Sequence, residues 1–283
     1  GISGLVMQGV EVSGGAQYYT TYELLSLADA EALGLDAAYD TTNSVLVHER
    51  IKRYFAFTAA PLHILLTEQD VTMAQMLTPT NEGMAYKLVN DAEGKVRQLA
   101  VCLNPDGDYT PTITDGLDVA SYNAIAQAKA FRDWAQGEYM PLCIWIEARS
   151  FNGTVSALRD LKDDGAGQLD AFNISLVIAQ DPDVAALDAL YDGYADVGTA
   201  LGMESRRTIS QHIGQAVADC DVSNAAEGFY QSVGLSGGEL ISNFNTAALT
   251  SLDAKGYVFL RRYKDYAGVY FDSGHRQKQR GGH

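Results

Sequence analysis

The chain has 283 residues, of which 47% are apolar, and it carries a formal net charge of −16 at pH 7. This length and apolar content are enough for one large or two small packed domains, so disorder of the whole chain is not expected. No apolar run reaches the roughly 18 residues of a membrane helix, and no membrane insertion is predicted. The acidic body would repel phosphate backbones, so no nucleic-acid partner is predicted.

Cysteine and histidine usage argues against a metal site. Cys102, Cys143 and Cys220 form a scattered set of three, which favours reduced thiols in a cytosolic setting over a disulfide. The five histidines lack the spacing of zinc ligands. The sequence also lacks the glycine patterns of nucleotide-binding loops. No cofactor and no metal are therefore predicted.

Strand-like apolar runs alternate with helical patterns along most of the chain. The runs cover residues 2–10, 62–67, 96–103, 142–147 and 174–179. Alternation of this kind is typical of parallel strands joined by helices that cover the sheet. The sequence therefore predicts an α/β fold with a layered, largely parallel or mixed sheet flanked by helices.

Three helices are predicted in the first half of the chain. Ser26, with Asp29 at the capping-box position, begins a helix that ends before Gly34. Thr42 or Asn43 begins the second, in which apolar residues recur every fourth position. The third lies over residues 120–135, where small residues on one face allow close packing on a sheet.

The second half contains one further predicted helix and two irregular regions. Asp181 and Pro182 begin the helix, which is expected to continue to a stop at Gly202. Residues 104–116 are dense in Pro, Gly and Asp and are predicted to form a surface loop. Residues 219–243 lack clear periodicity and are predicted to be an irregular excursion.

The last predicted elements of the chain form a β-hairpin. A short helix over residues 246–252 is followed by alternating strands at 257–261 and 266–271. Lys264 and Asp265 are predicted to form a tight polar turn between these strands. The closing strands extend the predicted sheet.

A catalytic reading starts from residues 234–238, which match the Gly-x-Ser-x-Gly turn of serine hydrolases. Ser236 would be the nucleophile, with Asp253 or Asp265 and then His275 completing a triad in the right order. The turn needs a firm strand before it and a good helix after it, and the sequence offers neither. The prediction is therefore that the chain is not an enzyme, with this hydrolase as the alternative.

Glu147 and Arg149 lie at the carboxyl end of a predicted strand, where α/β proteins often have their functional sites. They are compatible with a polar site or with an ion pair between subunits. A pocket at these strand ends would support a third reading, a small-molecule-binding α/β module.

Two stretches carry a family resemblance. Residues 252–261 have the pattern Leu-x-x-Lys-Gly-Tyr-x-Phe-x-Arg, and residues 24–34 read LLSLADAEALG. Both resemble the contractile tail sheath proteins of bacteriophages and related injection machines, in particular a sheath-like family from Bacteroidetes phages. The resemblance implies a sheath-protein-like core over residues 1–272, which includes the irregular region, and leaves residues 273–283 as a disordered basic tail.

The resemblance implies a structural subunit that polymerises as stacked six-fold rings around an inner tube and contracts to drive that tube through a cell envelope. Its expected partners are identical sheath subunits, the inner tail tube protein, and baseplate or terminator proteins. Its expected place is the virion tail, assembled in the cytoplasm of the bacterial host. The extended terminal arms of the family have no counterpart in this sequence, which is expected to be a trimmed or short version.

Assembly residues are expected at the basic end and at unpaired sheet edges. Residues 256–283 hold six Lys and Arg and two Asp and Glu, a net +4, against −20 for residues 1–255. A basic end suits an acidic neighbour in an assembly, and unpaired edge strands can pair with another chain. The candidates are the cations Arg261, Arg262 and Lys264, and the edge-strand residues Ile2, Leu5, Val6, Val269 and Phe271.

Overall fold

The computed structural model describes residues 2–80, 84–162, 173–207, 220–224, 226–264 and 267–272. Its strands are β1 (Ile2–Gln8), β2 (Thr21–Leu24), β3 (Leu62–Thr67), β4 (Val96–Cys102), β5 (Ile113–Thr114), β6 (Leu117–Asp118), β7 (Cys143–Glu147), β8 (Ile174–Val177), β9 (Ala179–Gln180), β10 (Gly234–Leu235), β11 (Glu239–Leu240), β12 (Tyr257–Arg261) and β13 (Tyr270–Asp272). Its helices are α1 (Leu27–Ala32), α2 (Ala37–Asn43), α3 (Val47–Phe57), α4 (Met73–Met76), α5 (Ala85–Asp91), α6 (Val119–Gly137), α7 (Pro182–Ala185), α8 (Val197–Arg206) and α9 (Thr246–Ala254). Across these described ranges, no helix is both long and apolar enough to span a membrane.

The main sheet has eight strands within the described residues, in the order β13-β12-β8-β7-β4-β1-β3-β2. The six inner strands run parallel, whereas β2 and β13 pair antiparallel at the two ends. The predicted mixed α/β sheet and the C-terminal strand pair are therefore confirmed.

Helices cover both faces of this sheet, and successive residues of the inner strands point to opposite layers. Val6 of β1 packs in a core under α4, α5 and α6, whereas Leu5 and Met7 pack against α3 and α8 on the other face. All three side chains are fully buried. A strand that is covered on both faces reads as a continuous apolar run, as residues 2–10 do.

The first predicted helix is confirmed and the second begins elsewhere. In α1, Ser26 and Asp29 form the predicted capping box. Thr42 and Asn43 end α2, and Ser44 then turns the chain in the left-handed region with φ 51°. The start predicted at Thr42 or Asn43 is therefore wrong, and α3 begins at Val47. The third helix, α6, has the predicted small-residue face against the sheet.

The long helix predicted from Asp181 to Gly202 is wrong. Asp181 and Pro182 begin α7 as predicted, but this helix has only four residues. Asp196 then caps a separate helix, α8, by accepting a hydrogen bond from the N–H of Thr199 at 2.9 Å. Gly202 lies inside α8, where it permits close contact with α3: a Cβ there would lie 2.6 Å from the carbonyl oxygen of Tyr54.

The two irregular regions contain short pieces of regular structure. Residues 104–116 form a loop that pairs briefly as β5 with β6. The described part of 219–243 includes β10 and β11, which form a small sheet with β9. The closing link from β12 to β13 spans residues 262–269, so it is longer than the predicted tight turn at Lys264 and Asp265, and Asp265 lies outside the described residues.

Candidate assembly edges and a polar groove

Arg261 is tied into the fold of the C-terminal strand pair. Its Nη1 lies 3.2 Å from Oδ2 of Asp272, which is nearly buried on the paired strand. Its guanidinium also lies 4.3 Å from the centroid of the Tyr263 ring. The hydroxyl of Tyr263 donates to Asp272 at 2.9 Å. The exposed fraction of the Arg261 side chain is 26%. Its contacts mainly hold the two strands of the hairpin together, and little of its surface is available to a partner chain.

Arg262 and Lys264 project from the link that follows β12. Nη2 of Arg262 donates to the main-chain carbonyls of Tyr230 and Gln231 at 3.1 and 3.2 Å. Both Arg262 and Lys264 are exposed. Among the described residues, Lys264 has no ion-pair partner. Lys264 is thus the cation of this set with the greatest freedom to contact another chain.

The placement of Ile2, Leu5 and Val6 on an edge strand is wrong. They lie on β1, which pairs with β3 on one side and with β4 on the other. Leu5 and Val6 have no exposed surface. Chain order does not fix spatial order: β1 is the first strand in the chain, but β3 and β4 pair on its two sides.

Phe271 lies on the edge strand β13, whereas Val269 precedes this strand and its main-chain groups already bond to Asp221 and Val222. β13 pairs only with β12 among the described strands. Both side chains are fully buried, however, so the part of this strand that another chain could use is its backbone. The opposite edge is β2, which pairs only with β3 within the same described set and was missed by the sequence analysis. The only sequence feature that indicates this strand is the short run of β-favouring residues Thr20–Tyr22, which is too short to distinguish a strand from a loop.

The geometry at Ser236 is not that of a nucleophile elbow. Ser236 lies in the turn between the two-residue strands β10 and β11, and no helix follows directly, since residues 241–243 form a single 3-10 turn. The side chain is fully buried, and its hydroxyl donates to the carbonyl oxygen of Ala148 at 2.5 Å. Of the other proposed triad members, Asp253 lies on α9, and Asp265 and His275 lie outside the described residues.

Glu147 accepts hydrogen bonds from several elements at the carboxyl end of β7. Nη2 of Arg50 donates to Oε1 at 2.6 Å, and Nη1 of Arg149 donates to Oε2 at 3.1 Å. The main-chain N–H groups of Ala195 and Leu103 donate to the same carboxylate at 3.0 and 2.8 Å. The interpretation of Glu147 and Arg149 as an ion pair between subunits is wrong, because they pair with each other inside the chain.

This cluster is buried and holds two cations against one anion. Burial raises the pKa of Glu147, but Arg149, Arg50 and the two N–H groups more than offset it, so the pKa stays below its ordinary value. Side chains of Arg50, Glu147 and Arg149 are 2%, 0% and 3% exposed. Arg50 was not predicted from the sequence, where its only signal is a cation between two apolar positions, Val47 and Ile51, on the buried face of α3.

A second buried network lies beside the first. Arg53 of α3 donates to Asp196 at 2.9 Å, to Asp181 at 2.8 Å and to Glu49 at 2.7 Å. The Tyr230 hydroxyl donates to Asp196 at 2.5 Å. Burial raises the pKa of Asp196, and the guanidinium of Arg53 together with hydrogen bonds lowers it below its ordinary value. The network fixes α3 to α8 and to the segment around Tyr230.

A groove of about 380 Å³ lies beyond the carboxyl ends of β4 and β7. Its floor is the segment 149–152, and its walls are the loop 105–113 and the segment 189–193, with Gly237 at one end. The neighbouring crevice between β1 and β4 is filled, because Gln8 and Asn104 bond across it: the Asn104 N–H donates to the Gln8 side chain and its amide donates to the Gln8 carbonyl, both at 2.7 Å. In parallel α/β sheets such strand ends are the usual place for ligands.

The fold is that of a layered α/β protein whose mixed sheet ends in two antiparallel edge strands. The profile of the DUF2586 N-terminal domain matches residues 1–275, so the chain belongs to the DUF2586 family. No curated protein matches the sequence.

Solved structures that share this fold include two assemblies of the anti-feeding prophage. A chain of the anti-feeding prophage helical sheath in its contracted state superposes with a TM-score of 0.56 at 14% identity, over 98% of this chain and 62% of that chain. A chain of the six-fold symmetrised baseplate of the same prophage superposes with a TM-score of 0.52 at 12% identity, over 96% of this chain and 61% of that chain. This chain spans less than two thirds of each neighbour, and at these identities the similarity establishes the fold.

Proposed function

We propose that this chain is a structural subunit of a contractile injection apparatus and forms its tail sheath. The observation that carries the proposal is the superposition of nearly the whole chain on a helical sheath subunit. The sequence patterns at residues 24–34 and 252–261 support the same class. In this role the subunit has no catalytic task.

The subunit polymerises as stacked six-fold rings around an inner tube and contracts to drive the tube through a cell envelope. The superposition on a chain of a six-fold baseplate supports contact with baseplate or terminator proteins at the end of the array. The particle is a virion tail, or a related injection machine, whose parts assemble in the bacterial cytoplasm.

Contraction needs subunits that move as rigid bodies, and the buried networks support such a body. Arg50 ties α3 to β7, and Arg53 ties α3 to α8, so that shear between these elements would break buried ion pairs. Breaking a buried pair costs about 3–5 kcal/mol. The stroke is therefore expected at the surfaces between subunits.

Two kinds of surface are suited to joining subunits. The backbone edges of β2 and β13 can pair with a strand of another copy, which is the usual mode of strand addition. Lys264 and Arg262 offer exposed cations to a chain whose remaining surface is strongly acidic. Heterologous contacts of this kind close into rings when the rotation allows it.

Sedimentation velocity over a wide concentration range tests the proposal. A sheath subunit is expected to show a sedimentation coefficient that rises with concentration, and the rise should be steeper in the presence of its inner tube protein. A concentration-independent monomer, with or without the tube protein, would contradict the proposed role.

A further inference from the structure

The geometry points to a binding site that lies apart from the assembly edges. We propose that the groove beside Arg149 binds a small molecule that carries a carboxylate and an apolar body. The carboxylate accepts a hydrogen bond from Nη2 of the Arg149 guanidinium. The apolar body lies between the walls of the groove. This inference does not rest on the sheath role.

Arg149 supplies the charged donor of the proposed site. Its side chain is 3% exposed, yet it lines the groove. Only Nη1 is occupied, by Glu147 at 3.1 Å and by the Leu103 carbonyl at 3.3 Å. Within the described part of the chain, Nε is fully buried without a partner, whereas Nη2 is not fully buried and makes no hydrogen bond. Nη2 is therefore the donor that a carboxylate in the groove can reach, through a charge-assisted hydrogen bond.

Arg149 shares its bonded carboxylate with Arg50. Glu147 accepts from both guanidiniums, so among the described residues Arg149 has no bonded carboxylate of its own. A buried N–H without an acceptor is destabilising, and more so in a charged group. A carboxylate in the groove would give Nη2 an acceptor and Arg149 a second counter-charge.

Acidic residues on the rim do not replace this anion. Asp106 and Asp192 line the groove but are exposed, so solvent screens their charge. Neither forms an ion pair with Arg149 among the described residues. These two carboxylates predict a preference for ligands with a single negative charge, because a second negative charge would be repelled at the rim.

The walls indicate the rest of the ligand. They include apolar side chains from both sides of the groove, and the volume of about 380 Å³ lies in the range of small-molecule sites. Apolar surface with one well-placed charged group is the usual composition of such sites. The apolar wall residues are Pro105, Pro111, Ile113, Phe151 and Leu190.

Gly193 leaves space beside Nη2 of Arg149. A Cβ at Gly193 would lie 3.4 Å from Nη2 of Arg149 and 2.3 Å from the hydroxyl oxygen of Ser150. The backbone at Gly193 is not in the left-handed region, so a side chain there is excluded by space alone. The absence of a side chain at this position leaves room for a ligand oxygen.

The test titrates the wild-type chain with three probes of the same shape: benzoate, benzamide and benzylamine. Binding is followed by calorimetry and by the NMR signal of the Arg149 Nε–H. Benzoate is expected to bind saturably, to shift the Arg149 signal, and to bind at least about tenfold more tightly than either other probe, a difference of about 1.4 kcal/mol. Absence of saturable benzoate binding, or tighter binding of benzylamine, would overturn the proposal.

Variants separate the site from the fold. Arg149→Gln removes the guanidinium but leaves Glu147 paired with Arg50, and it should lose about tenfold or more in benzoate affinity. A second variant, Ser150→Gly with Gly193→Ala, keeps every charge and crowds Nη2 of Arg149, and it should lose affinity to a similar extent. Gly137→Ala, where a Cβ meets nothing within 4 Å, is the matched control and should bind as the wild type does. Unchanged affinity in both site variants would overturn the assignment to Arg149.

Discussion

Arg50 of α3 and Glu147 of β7 form an ion pair 2.6 Å long with both side chains buried. The pair connects the helical layer to the end of a central strand, and Arg149 shares the same carboxylate. Because a buried charge is stable only with its counter-charge, both guanidiniums depend on the carboxylate of Glu147.

Removing the shared anion should therefore cost more than removing one cation. Glu147→Gln leaves two buried guanidiniums without a counter-charge and is expected to lower the free energy of unfolding by about 3–5 kcal/mol. Arg149→Gln leaves a balanced pair and should cost about 1 kcal/mol. Urea unfolding measures both. A loss in Arg149→Gln that equals or exceeds the loss in Glu147→Gln would contradict this view of the cluster.

Gly202 of α8 should reject even one methyl group. A Cβ there would lie 2.6 Å from the Tyr54 carbonyl oxygen of α3, which is backbone and cannot move aside. Gly202→Ala is expected to lower the free energy of unfolding by about 1–3 kcal/mol. Gly137→Ala, in open space at the end of α6, should raise it by about 0.5–1 kcal/mol because alanine favours the helix. Thermal unfolding measures both variants. If Gly202→Ala and Gly137→Ala change the stability in the same direction, the close contact between Gly202 and the Tyr54 carbonyl is contradicted.

Asp40 should make stability depend on pH. Burial raises its pKa from 3.8 to about 7, despite the N–H groups of Glu49 and His48 that donate to it. Between these pKa values the folded state holds a proton that the unfolded state releases. The contribution of Asp40 is therefore complete below pH 3.8 and is lost as the pH rises through about 7.

The measurement compares wild type with Asp40→Asn by urea unfolding across this pH range. The stability of the wild type relative to the variant should fall as the pH rises. Asp108→Asn, at an exposed loop position, is the control and should show a constant difference. A constant difference for Asp40→Asn as well would show that its carboxyl is not perturbed.

Lys264 and Arg261 should respond differently to charge reversal. Lys264→Glu changes an exposed cation and should weaken self-association while the free energy of unfolding stays within about 0.5 kcal/mol of wild type. Arg261→Glu would bring a second carboxylate against Asp272 and should destabilise the fold itself. Sedimentation and thermal unfolding distinguish the two. Normal self-association of Lys264→Glu would remove this residue from the proposed interface.

Local signals predicted local structure well. Ser26 and Asp29 act through main-chain groups within one turn, so the capping pattern was sufficient to locate α1. Most inner strands were recognisable because burial on both faces leaves predominantly apolar runs, such as residues 62–67.

Long-range relationships were not predictable from the pattern. Gly202 was interpreted as a helix stop, but its role is set by Tyr54, which is far away in sequence. Ile2 was placed at an edge because periodicity says nothing about which strands flank it. Arg50 and Glu147 are 97 positions apart, and only the fold shows that they share one buried site with Arg149.

The most direct test of the sheath role is negative-stain electron microscopy of the full-length protein that carries this sequence, expressed together with its inner tube protein. The account predicts hollow tubes or rings with six-fold symmetry, which Lys264→Glu should make shorter or rarer. Monodisperse single particles at every concentration, with the tube protein unbound, would contradict it.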